Sequence, residues 1–288
     1  MKSKLTQRIV FGYYKSKIAV LSKISARKAA AIAFELFCTP FSSRQKRIAP
    51  EIFNDAEKVS VQLDGLTIRG FIWKNAHANG KKILICHGFD SCSYKFEPYV
   101  KDLLDEGFEV SAFDAPAHGI SDGKQITALL YYKTILLLQN TYGPFYGIIS
   151  HSFGGLATSL AVEQMNGSAV EKIVLIAPAT ESTTAINHFN KLLDISEKVK
   201  KEINQLIYRV NAQPLEWYSI TRSIQQASAN ILWIHDDGDR ICPYKDTKAI
   251  RDMALPNIKF ITTHKLGHNK IYHDRDVQKR VADFLKEG

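Results

Sequence analysis

Apolar and polar residues alternate along the chain in two rhythms, and the change between them divides the sequence. Over residues 5–37 the apolar positions recur at helical spacing. Leu5, Ile9, Tyr13, Val20 and Ile24 share one face, with Lys4, Arg8 and Lys15 opposite, and Ala29, Ala33, Leu36 and Phe37 form a second stripe. Two helices are predicted here. The second stops ahead of Pro40, because proline disfavours helix in the residue before it, and residues 42–50 read as a linker. From about Glu57 the period becomes two. Runs at 59–63 and 67–73 flank Asp64-Gly65, a dipeptide suited to a two-residue hairpin turn.

Beyond the hairpin, short continuous apolar runs recur at 83–86, 109–113, 146–149, 172–176, 231–235 and 258–262, each followed by a segment of helix length. Such runs are strands buried on both faces, so the prediction is an α/β fold with a mostly parallel, eight-stranded sheet and helices on either side. Active sites of such sheets lie outside the carboxyl ends of the strands. The interval between residues 176 and 231 is too long for a simple crossover. It carries Phe189, Leu192, Val199, Ile203, Leu206 and Val210 at helical spacing, so residues 181–226 are expected to form a helical cap inserted over the strand ends. The expected organisation is a basic helical arm over residues 1–49 and an α/β domain with the cap insertion over 50–288.

Composition adds little beyond confirming a chain able to bury a core: 288 residues, 45% hydrophobic and 23% charged. Cys38, Cys86, Cys92 and Cys242 are scattered without a CxxC pair, which suits buried thiols in a reducing compartment. No apolar run approaches the roughly 18–20 residues of a spanning helix. The early apolar stretch at 9–14 is too short for a signal peptide. A cytoplasmic location is expected.

Charge changes the picture more. The chain carries +9, but residues 1–49 hold eleven Lys or Arg against the single acid Glu35, which is +10 and leaves −1 for residues 50–288. The body is neutral and the excess sits on the arm, which points to an electrostatic partner for the arm alone. An anionic membrane surface, reached from the cytoplasm, is the expected one; the alternative is that the arm packs its apolar face on the domain and its lysines are merely solvated. Nucleic acid ranks lower, since no nucleic-acid-binding motif is present.

The chemistry is concentrated where a strand runs into Ser150-His151-Ser152-Phe153-Gly154-Gly155 and then a helix-compatible segment. A serine on a tight strand-to-helix turn has its hydroxyl pushed out at the sheet edge, above the free amides and partial positive charge of a helix N-terminus. Here the sequence resembles the α/β-hydrolase superfamily, whose elbow is written G-x-S-x-G. Gly154 matches; Ser150 replaces the first glycine, which would set the helix slightly further from the strand. Three more segments resemble that family in order. His87-Gly88-Phe89 is similar to its oxyanion loop, which implies that the amides of Phe89 and Phe153 are the oxyanion donors. Residues 113–121 resemble its D-x-R-G-x-G-x-S loop, with Asp114 and His118 as turn formers. Residues 231–243 resemble its acid-bearing segment, which assigns the acid to Asp239 with Asp237 as fallback, and Leu266-Gly267-His268 resembles the turn bearing the base.

The resemblance implies a Ser152–His268–Asp239 triad. A serine hydroxyl is a weak nucleophile until an imidazole takes its proton, and a buried carboxylate fixes the tautomer of that imidazole. No cofactor is required. His264, His268 and His273 lack zinc-ligand spacing and Asp236, Asp237 and Asp239 lack EF-hand spacing, so no metal is assigned. A serine at the elbow favours acyl transfer from a small-molecule ester or thioester to water. Residues 93–123 resemble the monoacylglycerol lipase and lysophospholipase branch, which implies a lipophilic acyl ester, with Phe189, Leu192 and Trp217 of the cap lining its pocket. Two other readings fit the same residues: a carbon–carbon bond hydrolase with the same triad, and a non-catalytic binding protein on this fold.

Overall fold

A computed structural model describes residues 4–41, 48–165 and 170–287, with side chains from residue 9 onward. The strands are β1 (Glu57–Leu63), β2 (Leu66–Trp73), β3 (Lys82–Cys86), β4 (Glu109–Phe113), β5 (Gly147–His151), β6 (Lys172–Ile176), β7 (Asn230–Asp236) and β8 (Ile258–Thr263). They form one eight-stranded sheet in the order β1-β2-β4-β3-β5-β6-β7-β8. β2 runs antiparallel to both β1 and β4, and all other pairs are parallel. The β1–β2 hairpin closes at Asp64 and Gly65, both at positive φ (50° and 77°), the conformation for which that dipeptide is suited.

The helices are α1 (Lys4–Ile24), α2 (Ala26–Phe37), α3 (Glu97–Asp105), α4 (Ala128–Tyr142), α5 (Phe153–Gln164), α6 (Ser182–Leu193), α7 (Glu197–Asn211), α8 (Ile220–Ser223), α9 (Lys248–Asp252), α10 (Gly267–Lys270) and α11 (Arg275–Lys286). The central strands are apolar on both faces because both are covered. Leu84, Ile148 and Ile173 pack with α4, α5 and the helices after β6, while Ile83, Ile85 and Ile149 pack with α3 and α11. This is the α/β-hydrolase fold.

Two features lie above the carboxyl ends of the strands. Helices α6 to α8 fill the interval between β6 and β7, and their base is tied to α5 by Arg222, whose guanidinium grips the Glu163 carboxylate through both nitrogens and lies over the Trp217 ring. Onto them pack α1 and α2, which form one hairpin with the rest of the molecule. α2 starts at Ser25, whose hydroxyl accepts from the Lys28 amide, and buries Ala29, Ala30, Ala33 and Leu36; these small residues let it lie along α7. Phe37 meets Phe189 of α6 edge to face at 5.2 Å between ring centres. The N-terminal helices are therefore part of the structure over the sheet.

α1 differs from the expected helix face. Ile9, Tyr13, Val20 and Ile24 point outward, and the inward face is built instead from Phe11, Tyr14, Ile18 and Leu21. The Leu5, Lys4 and Arg8 side chains lie outside the described residues. The helix is apolar on two opposite faces, so its periodicity could not say which one the domain would take. Part of the expected linker, residues 42–47, also lies outside the described residues.

Candidate active site

Ser152 sits where β5 meets α5, with φ 55° and ψ −122°, a conformation that costs a non-glycine residue on the order of 1–3 kcal/mol. The turn is held by its backbone: the Ser152 amide donates to Ile176 of β6, and its carbonyl accepts from Gly155 and Ala179. Two glycines make room around it. A Cβ on Gly88 would stand 2.9 Å from Ser152 Cβ, and one on Gly154 would stand 2.5 Å from the Cys86 carbonyl oxygen. Ser150 keeps its place because its buried hydroxyl donates to the Val174 carbonyl at 3.0 Å. At Gly154 the start of α5 is in tight contact with the end of β3.

Three loops from distant parts of the chain converge on this turn. His268 Nε2 lies 2.9 Å from Ser152 Oγ, and His268 Nδ1 lies 2.7 Å from Asp239 Oδ2. The other oxygen of Asp239 accepts from the Ile241 and Cys242 amides at 2.8 and 2.9 Å. The acid loop thus wraps its own carboxylate and leaves one oxygen for the base. Asp236, the last residue of β7, is fully buried and joins the acid and base loops by accepting from Gly238, Thr263 and Leu266. Burial pushes its carboxyl up, but the donated bonds outweigh this and hold it below the ordinary carboxylate range. Nothing in the sequence pointed to this tie beyond an aspartate at a strand end.

The other candidates are placed elsewhere. Asp237 meets His264 on the surface, with Oδ2 2.7 Å from Nδ1, and neither touches Ser152. Glu181, an acid that follows β6 and so another possible partner for the base, accepts instead from the hydroxyls of Ser219 and Thr221 at the base of the cap. Cys242, which sequence reading left as an ordinary thiol, has its sulfur 4.0 Å from Ser152 Oγ. Burial, reinforced by the negative Asp239, pushes that thiol far up, so it stays neutral and does not compete as a nucleophile.

The His87-Gly88-Phe89 loop is fixed by neutral imidazoles. His87 Nε2 accepts from the Ala115 amide and His118 Nε2 accepts from the Asp90 amide, both at 3.0 Å, so each ring carries its proton on Nδ1 and gives it to a backbone carbonyl. Asp114 accepts from Ser93 and Ile120 and closes the turn beneath. His151 holds the far side, with Nε2 3.1 Å from the His268 carbonyl oxygen. Phe153 is the first residue of α5, where the amide has no intrahelical partner. Neither its amide nor that of Phe89 has a backbone partner among the described residues.

These buried histidines make stability pH-dependent. Burial, with the neighbouring His87, lowers His118 from its ordinary 6.5 to about 3. Below pH 6.5 the unfolded chain takes up a proton that the folded chain refuses, so stability falls with pH until about pH 3. The expected slope from this one group is about 1.4 kcal/mol per pH unit. Urea midpoints measured from pH 7 to pH 4 should show it, and His118→Gln should flatten the profile by that amount. An unchanged slope in the variant would refute the neutral, buried state of His118.

Above Ser152 lies a cavity of about 540 Å3. Its floor is Ser152, Phe153 and Leu156. Phe189 and Leu192 of α6 line it as the sequence suggested, whereas Trp217 does not; it packs instead between Tyr132, Tyr218 and Arg222. The unexpected walls are Phe11 of α1, Phe34 and Phe37 of α2, and Phe41. Their spacing at 34, 37 and 41 was the available signal, but it reads equally as core packing. No Asp, Glu, Lys or Arg lines the cavity among the described residues.

Fold and site geometry together define an α/β hydrolase. Residues 77–227, just over half of the chain, match the family model described as serine aminopeptidase, S33, and the chain belongs to that family. Among solved structures it is similar to an esterase of Pyrococcus furiosus, at 18% identity with a TM-score of 0.63 over 86% of this chain and 96% of that one. It is also similar to Est1E of Butyrivibrio proteoclasticus, solved with ferulic acid bound, at 19% identity and TM-score 0.63 over 80% and 96%. A thermophilic esterase of Thermogutta terrifontis gives 12% identity and TM-score 0.62 over 84% and 95%. At these identities the likeness is one of fold.

Proposed function

We propose that this protein is a serine hydrolase that cleaves a neutral, lipophilic carboxylic ester through an acyl-enzyme on Ser152. The observation that carries the reading is the Ser152–His268–Asp239 array at 2.9 and 2.7 Å, set at the floor of an apolar cavity. Ser152 attacks the acyl carbonyl as His268 Nε2 takes its proton. The amides of Phe89 and Phe153 receive the oxyanion, and His268 returns the proton to the leaving alcohol. Water then repeats the sequence on the acyl-enzyme. Asp239 accepts from His268 Nδ1 throughout and stabilises the imidazolium.

The cavity argues for an ester rather than an aminopeptidase substrate, despite the family description. A free peptide N-terminus is an ammonium group, and burying it without a carboxylate partner is costly. An acyl chain asks only for apolar walls. Each methylene removed from water contributes about 0.8 kcal/mol, or roughly fourfold in kcat/KM, until the cavity is filled. The neighbours described as esterases lend the ester reading support from analogy.

A fluorophosphonate probe should label the wild type and fail to label Ser152→Ala, which separates an enzyme from a binding protein. Across p-nitrophenyl esters, kcat/KM should climb from acetate to medium-chain acyl groups, and aminoacyl p-nitroanilides should be inert. Preference for acetate, or faster cleavage of the anilides, would overturn the substrate class. Inert esters with rapid diketone cleavage would favour carbon–carbon hydrolysis.

A further inference from the structure

We propose that the outward face of α1 docks the protein on an anionic lipid bilayer. Ile9, Tyr13, Val20 and Ile24 lie on one stripe of that helix, between 59% and 78% exposed. Scattered surface apolar residues need no explanation, but four in line on one helix face form an interaction surface. The inward face already has its partner: Phe11, Tyr14, Ile18 and Leu21 pack on the protein, and Phe11 lines the cavity. The helix is thus shared between the wall of the cavity and the exterior.

Charge identifies what covers the stripe. Lys17 and Lys23 flank it on α1, and Arg27 and Lys28 follow at the exposed start of α2. Lys15 lies on the opposite side of the helix, 3.5 Å from Asp194 of the segment after α6. Residues 1–49 carry +10 against −1 elsewhere. A second copy of the chain, meeting the stripe across a two-fold axis, would set these cations against their own copies. Nucleic acid would use the cations and leave the apolar stripe between them unsatisfied. An anionic bilayer uses both, with the apolar face at the headgroup boundary and the cations on the headgroups beside it. Each cation near such a surface strengthens binding roughly fivefold.

The purpose of this docking, access to a lipophilic ester, rests on the function proposed above, but its test does not, since binding is read apart from hydrolysis. The full chain is sedimented with phosphatidylcholine vesicles, with and without phosphatidylglycerol, at low and high salt. It is compared with the variant carrying Ile9→Gln, Tyr13→Gln, Val20→Gln and Ile24→Gln. The wild type should bind the anionic vesicles at least about tenfold more tightly than the neutral ones and release at high salt. The variant should lose about tenfold or more of that affinity while hydrolysing a soluble short-chain ester at the wild-type rate. Equal binding by variant and wild type, equal binding to neutral and anionic vesicles, or no sedimentation of the wild type would overturn the proposal. So would a concentration-dependent dimer, seen by ultracentrifugation without vesicles, that the variant abolishes.

Discussion

His268→Ala is expected to lower ester hydrolysis about 10⁴-fold, with little change in thermal stability. His268 Nε2 is the acceptor 2.9 Å from Ser152 Oγ, and without it the hydroxyl must lose its proton to water. His264 offers no substitute, because its exposed ring faces Asp237 and does not touch Ser152. Nor does His151, which burial keeps well below the ordinary histidine range and which faces the His268 carbonyl. The measurement is kcat/KM on a p-nitrophenyl ester, alongside a thermal melt. More than a tenth of wild-type activity in a folded variant would remove His268 from the role of base.

Asp239→Asn should also cost about 10⁴-fold in kcat, and Asp237→Asn less than about twofold. The reason lies in the three hydrogen bonds to the Asp239 carboxylate. The Ile241 and Cys242 amides donate to Oδ1, so the oxygen of an asparagine would stay with them and its NH2 would face His268 Nδ1. Two donors do not bond, and relief comes by moving the imidazole proton from Nδ1 to Nε2. That tautomer presents a proton, not a lone pair, to Ser152. A nearby second imidazole, His235 Nε2 at 3.6 Å, already donates to the Cys242 carbonyl and offers no rescue. The Asp237 side chain meets His264 through an exposed hydrogen bond, which contributes little in water. Equal effects of the two substitutions would place the orienting acid elsewhere.

Much of the site was legible in the sequence because its parts are local. The elbow is six consecutive residues, and the oxyanion, acid and base turns each follow a short apolar strand. A parallel sheet brings the ends of such strands to one edge whatever their separation in sequence, and the resemblance of these turns to those of the α/β-hydrolase superfamily named Ser152, Asp239 and His268 before their distances were known. The choice of Asp239 over Asp237 rested on spacing to Pro243, and the geometry gives it a cause: Asp236 takes Gly238, Thr263 and Leu266, which turns the loop so that Asp237 points to solvent and Asp239 to the base.

The walls of the cavity were not legible, because their residues belong to segments with no fixed place in a one-dimensional pattern. Phe34 and Phe37 belong to a predicted helix and Phe41 follows it, and only the packing of α2 along α7 brings them over Ser152. α1 shows the limit most plainly. The sequence alone determined that the stretch from Leu5 to Ile24 forms a helix with apolar residues and an excess of cations, since period and composition are properties of neighbours in the chain. Which of its two apolar faces is buried was decided by tertiary structure, because burial depends on what surface stands opposite, and here the surface over the cavity accepts Phe11 and Ile18 and leaves Ile9, Tyr13, Val20 and Ile24 outside.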